Sequence, residues 1–271
     1  MKGVNVLSIT GIVFLVALAL LSGCSQPLEP ADDEADTTPT EDDPASSPDE
    51  PSDDPPVRQE VFIDFDGQTV GYVADGFAGA GTALDPSPGF LDAAGWEIIG
   101  FSDGDLAYGD EADGGDYARG ASPGGVATGG LYAFIVGEEN HALGVQPTGT
   151  DFAPGSIGVR IPVTVEKPAH AAINYALWEH NDEDRSTRWT CEISADGQTF
   201  TAIDELTLIT GEGADRDGWT RHDQQALVDL DDVDVDVTQT LHVRWTASDE
   251  SGTGSRDEAA IDDILIAVES D

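Results

Sequence analysis

The stretch Arg188-Trp189-Thr190-Cys191-Glu192-Ile193 alternates polar and apolar side chains position by position. A period of two is that of a β-strand with one buried face, because successive side chains point to opposite sides. Trp189, Cys191 and Ile193 then share the buried face, and we expect Cys191 to be a small buried apolar residue. A reactive thiol is the alternative, but no His or Cys flanks it at the spacing of zinc ligands.

Short stretches of the same kind follow one another from residue 60 onward, separated by turn signals such as Asp196-Gly197. No stretch sustains the periodicity of a helix. We therefore predict one all-β domain over residues 58–271, long enough for the core of a two-sheet sandwich. The other candidate strands are residues 61–65, 96–101, 131–136, 157–161, 171–178, 200–203, 219–230, 240–246 and 260–267.

A second kind of alternation lies between residues 229 and 237. Asp232, Asp234 and Asp236 alternate there with valines. The pattern predicts a strand with one anionic solvated face and one packed face. A metal site is the alternative, although carboxylates along one strand face do not converge on a point.

The N-terminal stretch is apolar from residue 4 to residue 20 and ends in Leu21-Ser22-Gly23-Cys24. This ending resembles a bacterial lipobox. The resemblance implies that residues 1–23 are a signal peptide and that acylated Cys24 anchors the chain in a lipid bilayer. The alternative is a single retained transmembrane helix, for which about 18 residues barely suffice.

Residues 24–57 combine acidic clusters with closely spaced prolines and almost no apolar side chains. Such a segment buries too little surface to offset its ordering entropy, so we predict a disordered, extended tether. Ser25 directly follows Cys24. This resembles the pattern of lipoproteins passed to an outer membrane, which implies a lipid-anchored place in the cell envelope, at the outer membrane or cell surface.

The chain carries 54 acidic and 11 basic residues, a net charge of −43. A field of this sign repels phosphates, which excludes DNA or RNA binding through a basic surface. The acidity either recruits cations or keeps the protein hydrated and soluble in a salty, halophilic environment. Because the acidity runs along the whole chain, we favour the second interpretation.

Several short motifs of the predicted domain occur in a characteristic order. They are residues 124–134, residues 142–152 with Pro154-Gly155, Tyr175-Ala176-Leu177-Trp178 with Asn181-Asp182 and Arg185-Ser186, Ser194-Ala195-Asp196-Gly197, residues 244–246 and 251–258, and Ala260-Ile261-Asp262-Asp263-Ile264. Together they resemble a jelly-roll accessory domain of secreted bacterial proteins, often found beside endonuclease or lamin-tail-like domains, and the last motif is also similar to the final strand of MAM and concanavalin-like sandwiches. The resemblance implies an extracellular jelly-roll β-sandwich that binds or stabilises and does not catalyse.

In the sandwich families that this domain resembles, acidic residues of the first and last strands can hold a structural calcium ion. The matching residues are Asp64 or Asp66 in the first strand and Asp262 or Asp263 in the last, with Glu258 nearby. Carboxylate oxygens are the hard ligands that Ca²⁺ prefers. The alternative is that Asp262 and Asp263 mark a strand end and accept backbone hydrogen bonds.

Four tryptophans divide by their phase in the alternation. Trp189 and Trp245 are in phase with apolar neighbours, and we expect them to be buried. Trp178 is out of phase with its neighbours, and Trp219 opens a strand. Either is a candidate platform for stacking on a sugar ring. The alternative for Trp178 is that it fills another layer of the sandwich.

Two histidines lie near carboxylates: His180 beside Glu179 and Asp182, and His222 beside Asp223. Such pairs can act as bases, but catalysis needs further groups, and we interpret both histidines as solvated loop residues. We therefore predict a membrane-anchored, non-catalytic module that is structural or binds a glycan or an envelope protein. The competing class is a secreted hydrolase that uses carboxylates.

Overall fold

A computed structural model describes residues 56–215 and 217–271. The predicted signal peptide, the lipidation site at Cys24 and nearly all of the predicted tether lie outside these residues. The described part contains strands and two short 3₁₀ turns, Gly115–Tyr117 and Asp204–Leu206. Within it, no helix has the length and apolar character needed to cross a membrane.

The described residues form sixteen strands. They are β1 (Arg58–Ile63), β2 (Phe77–Ala83), β3 (Gly89–Asp92), β4 (Trp96–Phe101), β5 (Gly104–Leu106), β6 (Ala121–Ser122), β7 (Gly130–Gly137), β8 (Asn140–Gln146), β9 (Gly155–Pro162), β10 (His170–His180), β11 (Arg185–Ser194), β12 (Thr201–Ala202), β13 (Leu208–Ile209), β14 (Trp219–Asp229), β15 (Thr240–Gly252) and β16 (Glu258–Glu269).

Two sheets form the sandwich. In sheet I the order is β14-β10-β16-β8-β7-β6, with β1 also paired to β16; in sheet II it is β12-β11-β15-β9-β4-β5, with β13 paired to β11. From β8 to β11 and again from β14 to β16, successive strands alternate between the sheets. The orders β8-β16-β10-β14 and β9-β15-β11-β12 are those of a jelly roll. The predicted all-β jelly-roll sandwich is therefore confirmed by the topology.

The main core lies between the two sheets and contains the residues that the alternation assigned to it. Trp189, Cys191 and Ile193 are all buried, and Cys191 is a free thiol with no exposed surface. Across the sandwich, the ring of Tyr175 on β10 packs edge-on against Trp245 on β15, with centroids 5.4 Å apart. Such aromatic pairs contribute about 0.5–1.5 kcal/mol beyond the area that they bury.

The last strand contains a β-bulge. Ile261 and Ile264 both belong to the main core, although a three-residue spacing places side chains on opposite faces of a regular strand. The β10 register shifts between Asn174 and Ala176, opposite this point, and Asp263 adopts a φ of 51°. The extra residue lets both isoleucines face the core.

A second, smaller cluster lies on the outer face of sheet I. Phe134 and Tyr132 of β7 stack with centroids 5.1 Å apart, and the cluster also contains Val136, Ala142 and Ala260. Val126, Trp178 and Trp219 pack against it. Residues 123–129, hereafter the cover loop, contribute Val126 to this layer, so part of sheet I is buried on both faces.

The prediction of a strand over residues 229–237 is wrong. β14 ends at Asp229, and a turn follows in which the backbone N–H of Val235 donates to the carbonyl of Leu230. Val235 and Val237 are nevertheless buried. Burial of alternate valines in an irregular segment produces the same alternation that a strand would produce.

Candidate functional site

The junction of the first and last strands gathers predicted calcium ligands. β1 pairs with β16 up to Ile63 opposite Ile264, and Asp64 directly follows Ile63. The charges of Asp263 and Asp64 both act on the buried Asp262. Asp262 is 1% exposed, and its Oδ1 has no hydrogen-bond partner among the described residues. Burial raises the pKa of Asp262 to about 7. Asp262 is therefore a buried acid whose hydrogen-bonding capacity is only partly used.

The other two predicted ligands have different partners. Asp66 Oδ1 accepts a hydrogen bond from the backbone N–H of His141 at 2.7 Å and lies 3.1 Å from its Nδ1. Asp263 Oδ2 accepts from Arg221 Nη1 at 2.6 Å, next to the bulge. The carboxylates of Asp66 and Asp263 thus have partners of their own, although the charge of Asp263 also acts on Asp262 and the Asp66 N–H donates to Asp64. The calcium site stays a prediction that rests on Asp64 and Asp262.

The two candidate sugar platforms both lie on the outer face of sheet I and are only partly exposed. Trp219 donates its Nε1–H to the carbonyl of Pro123 in the cover loop at 2.8 Å. The Arg221 guanidinium lies over the ring of Trp178, 5.5 Å from its centroid. Neither ring is an open platform, because one is tied to the cover loop and the other is covered by a cation.

Three side chains of the types that bind metal ions converge at one end of the outer face of sheet I. His180 ends β10, Asp182 follows in the next loop, and Glu258 begins β16. His180 Nδ1 lies 3.4 Å from Glu258 Oε2 and 3.6 Å from Asp182 Oδ2. The three donor atoms all lie within 4.8 Å of one another. We call these three residues the His–Asp–Glu centre.

Glu258 is the buried member of the His–Asp–Glu centre. Its side chain has no exposed surface, and its Oε1 accepts a hydrogen bond from the backbone N–H of Val126 at 2.6 Å. Its Oε2 and the His180 Nδ1 have no hydrogen-bond partner among the described residues. Burial raises the pKa of the Glu258 carboxyl above its ordinary value. An unpaired carboxylate oxygen in this position is costly unless something binds it.

Two further acids are buried next to the centre. Asp257 is 3% exposed; its Oδ1 accepts from the backbone N–H of Glu183 at 2.8 Å, and burial raises its pKa to about 7. Glu179 is also buried and places its Oε2 3.0 Å from His222 Nε2. The centre is therefore surrounded by further buried acidic side chains.

A cleft of about 350 Å³ opens beside the centre, and we call it the end cleft. Arg185 and Arg256 line it, and both bind Asp249: Arg185 Nη1 at 2.8 Å from Oδ2, and Arg256 through Nε. Arg185 Nε is buried without a hydrogen-bond partner among the described residues. The other lining residues are Val126, Ala127, Gln146, Pro147, Thr148, Gly149, Glu183, Gly254 and Ser255.

The described part of the chain does not form the nucleophile elbow that serine hydrolases use. The Gly-x-Ser-x-Gly spacing occurs at residues 100–104 and 120–124, but neither is followed by the helix of a nucleophile elbow. Ser102 Oγ donates to Asp116 at 2.9 Å, and Ser122 Oγ accepts from the Gly124 N–H. Both serine hydroxyls are therefore engaged in structural hydrogen bonds.

The interpretation of His180 and His222 as solvated loop residues is wrong. Both lie on strands, and the imidazole of His180 packs against Trp219 with centroids 5.2 Å apart. The sequence does place His180 two residues from Asp182, which is a signal for ligation. The third member, Glu258, is remote in sequence and joins them only through the pairing of β10 with β16.

No family model matches the chain, and no curated protein matches it. Its solved-structure neighbours include the enzymatically active domain of bacteriophage CBA120 tailspike protein 4 (10% identity, TM-score 0.34, 65% of this chain and 20% of that one). A carbohydrate-binding module specific for non-crystalline cellulose (10%, 0.37, 73% and 97%) and the K1 adhesin domain of Lys-gingipain from Porphyromonas gingivalis W83 (13%, 0.39, 77% and 97%) are also similar. With TM-scores below 0.5, these similarities add nothing to the fold, which follows from the strand order.

Proposed function

We propose that this chain is a lipid-anchored, non-catalytic module that binds a glycan in the end cleft. The observation that carries the proposal is Arg185, whose buried Nε–H has no partner among the described residues while its guanidinium lines a cleft of about 350 Å³. Clefts above about 300 Å³ suit small ligands, and a few convergent polar groups fix their orientation. A shift of the Arg185 side chain that opens Nε toward the cleft would let a sugar hydroxyl or ring oxygen accept this hydrogen bond.

The lining supports binding more than hydrolysis. Glycoside hydrolysis uses a pair of carboxyl groups on either side of the scissile bond. Glu183 is the one acidic residue that lines the end cleft in the described part of the chain. Arg256 and Gln146 add planar polar groups, and Val126 and Pro147 add an apolar wall, a combination suited to a sugar with polar edges and apolar faces.

The test is binding of the full-length chain to an array of neutral and uronic-acid polysaccharides, followed by titration calorimetry with the best ligand. We expect Arg185→Ala to weaken binding about tenfold to a hundredfold, the range for a lost hydrogen bond to a charged group. Arg188→Ala is the matched control, because Arg188 lies on the same strand and pairs with Glu250 outside the cleft.

Two outcomes contradict the glycan proposal. One is the absence of binding to any polysaccharide on the array. The other is binding that survives Arg185→Ala but is lost in Trp178→Ala, which would move the ligand to the outer face of sheet I.

The anchor is tested separately. We expect an alkyne fatty acid fed to cells to label the chain and Cys24→Ser to abolish both the label and the membrane association. A chain that stays in the membrane without the label would instead support a retained transmembrane helix.

A further inference from the structure

We propose that His180, Asp182 and Glu258 bind one divalent transition-metal ion of the zinc type. None of the three residues lines the end cleft, so the ion and the proposed cleft ligand would occupy different sites. The convergence of three donors from two strands and a loop is the first observation. The second is Glu258 itself, which is fully buried and directs an unpartnered Oε2 at His180.

The distances suit a small ion. Zinc binds nitrogen and carboxylate oxygen at about 2.0–2.2 Å, so two ligands of a tetrahedral site lie about 3.4 Å apart. His180 Nδ1 lies 3.4 Å from Glu258 Oε2 and 3.6 Å from Asp182 Oδ2. Two of the three ligand separations therefore match a small ion, and the two carboxylate oxygens lie within 4.8 Å of each other.

The donor set favours zinc over calcium. One imidazole nitrogen with two carboxylate oxygens is a donor set that Zn²⁺ accepts, whereas Ca²⁺ takes six to eight oxygen ligands. A cavity of about 250 Å³ borders His180 and Asp182 and leaves room for a further ligand, such as water. Two carboxylates neutralise the charge of the ion.

The site would also fix the cover loop. Glu258 Oε1 already accepts the backbone N–H of Val126, and Trp219, which packs on His180, holds Pro123. An ion on Glu258 Oε2 orients this carboxylate from its other side. Because Val126 lines the end cleft, the ion would hold one wall of the cleft in place.

The experiment uses the full-length chain, stripped with EDTA, loaded with Zn²⁺ in excess Ca²⁺ and desalted before elemental analysis. The Ca²⁺ occupies the many surface carboxylates. We expect one Zn²⁺ per chain. We expect His180→Ala and Glu258→Gln to weaken Zn²⁺ binding by more than about a hundredfold, since changes beyond the direct ligands already cost up to that factor.

His222→Ala is the matched control, because His222 contacts Glu179 at the same end of the sheet without belonging to the centre. The parent chain loaded with Co²⁺ gives a second readout that needs no folded variant. We expect its visible spectrum to show the d–d bands of a cobalt ion with few ligands. The proposal is overturned when the parent retains no Zn²⁺ in the presence of Ca²⁺. It is equally overturned when His180→Ala retains as much Zn²⁺ as His222→Ala.

Discussion

His180 and Glu258 are directly opposite each other in the antiparallel pair of β10 and β16, and Nδ1 of the one lies 3.4 Å from Oε2 of the other. Residues opposite each other in a ladder project from the same face of the sheet. Trp219 is opposite His180 on the other side, in β14. The row Trp219–His180–Glu258 therefore runs across three strands on the outer face of sheet I, and it positions the proposed metal site.

The turn after β11 predicts a pH dependence. Asp196 Oδ1 accepts the backbone N–H groups of Gln198 and Thr199 at 2.7 Å each, and these bonds lower its pKa to about 2. A depressed pKa adds stability that is present above the unfolded value near 3.8 and is lost as the pH falls through 2. We expect Asp196→Ala to lower the Tm at pH 7, and the two proteins to converge near pH 2.

The matched control for this turn is Asp85→Ala, an exposed carboxyl, which we expect to leave the Tm unchanged at pH 7. Thermal melts followed by circular dichroism at both pH values test the expected change in Tm. An equal loss of Tm at pH 7 and pH 2 would show that the carboxylate bonds are not the cause.

The packing between β8 and its neighbours leaves no room for a side chain at Gly144. A Cβ there would meet the Phe134 ring, the Ala259 carbonyl oxygen and, at 2.7 Å, the Ala260 Cβ. Overpacking of this kind typically costs about 1–3 kcal/mol. We expect Gly144→Ala to lower the free energy of unfolding in urea by that amount. Gly149→Ala, where a Cβ meets nothing within 4 Å, should change it far less.

The predicted calcium site requires that Asp64 and Asp262 bind the same ion. Ca²⁺ bound between them would raise the Tm of the EDTA-treated full-length chain by mass action on the folded state. Asp262→Asn should remove that rise, and Asp85→Asn, at an exposed position, should keep it. A Tm that does not respond to millimolar Ca²⁺ at constant ionic strength would leave Asp262 as an ordinary buried strand residue.

The net charge of −43 predicts a dependence on salt. Self-repulsion destabilises the compact state, and salt screens it over the Debye length, about 10 Å at 0.1 M and 3 Å at 1 M. We expect the Tm to rise between 0.1 and 2 M KCl by at least about 2–4 °C, the equivalent of about 1 kcal/mol for a domain of this size. A Tm that falls or stays constant would contradict the halophilic interpretation of the acidity.

Much of the fold could be predicted from the local alternation of polar and apolar residues. The alternation around Cys191 predicted the buried face of β11, and the phase of Trp178 predicted that it leaves the main core. The same reasoning failed over residues 229–237, where buried valines alternate in a turn. Alternation reports which side chains are buried, and strand geometry is one of several ways to bury every second residue.

The candidate site was much less predictable. The sequence suggested four calcium ligands, but Asp66 contacts His141 and Asp263 contacts Arg221. His180 is joined by Glu258 only through the long-range pairing of β10 with β16. Ligand convergence depends on register, which no local spacing encodes.

The sequence by itself determined the class of structure: a period of two indicated most of the strands, and Gly and Asp signals indicated turns such as Asp196-Gly197, because both effects act between neighbouring residues. The tertiary structure decided which strands pair and in which register, and so which side chains meet at the His–Asp–Glu centre and the end cleft. Each strand could pair with several others, and the pairing that buries a shared core depends on the whole chain.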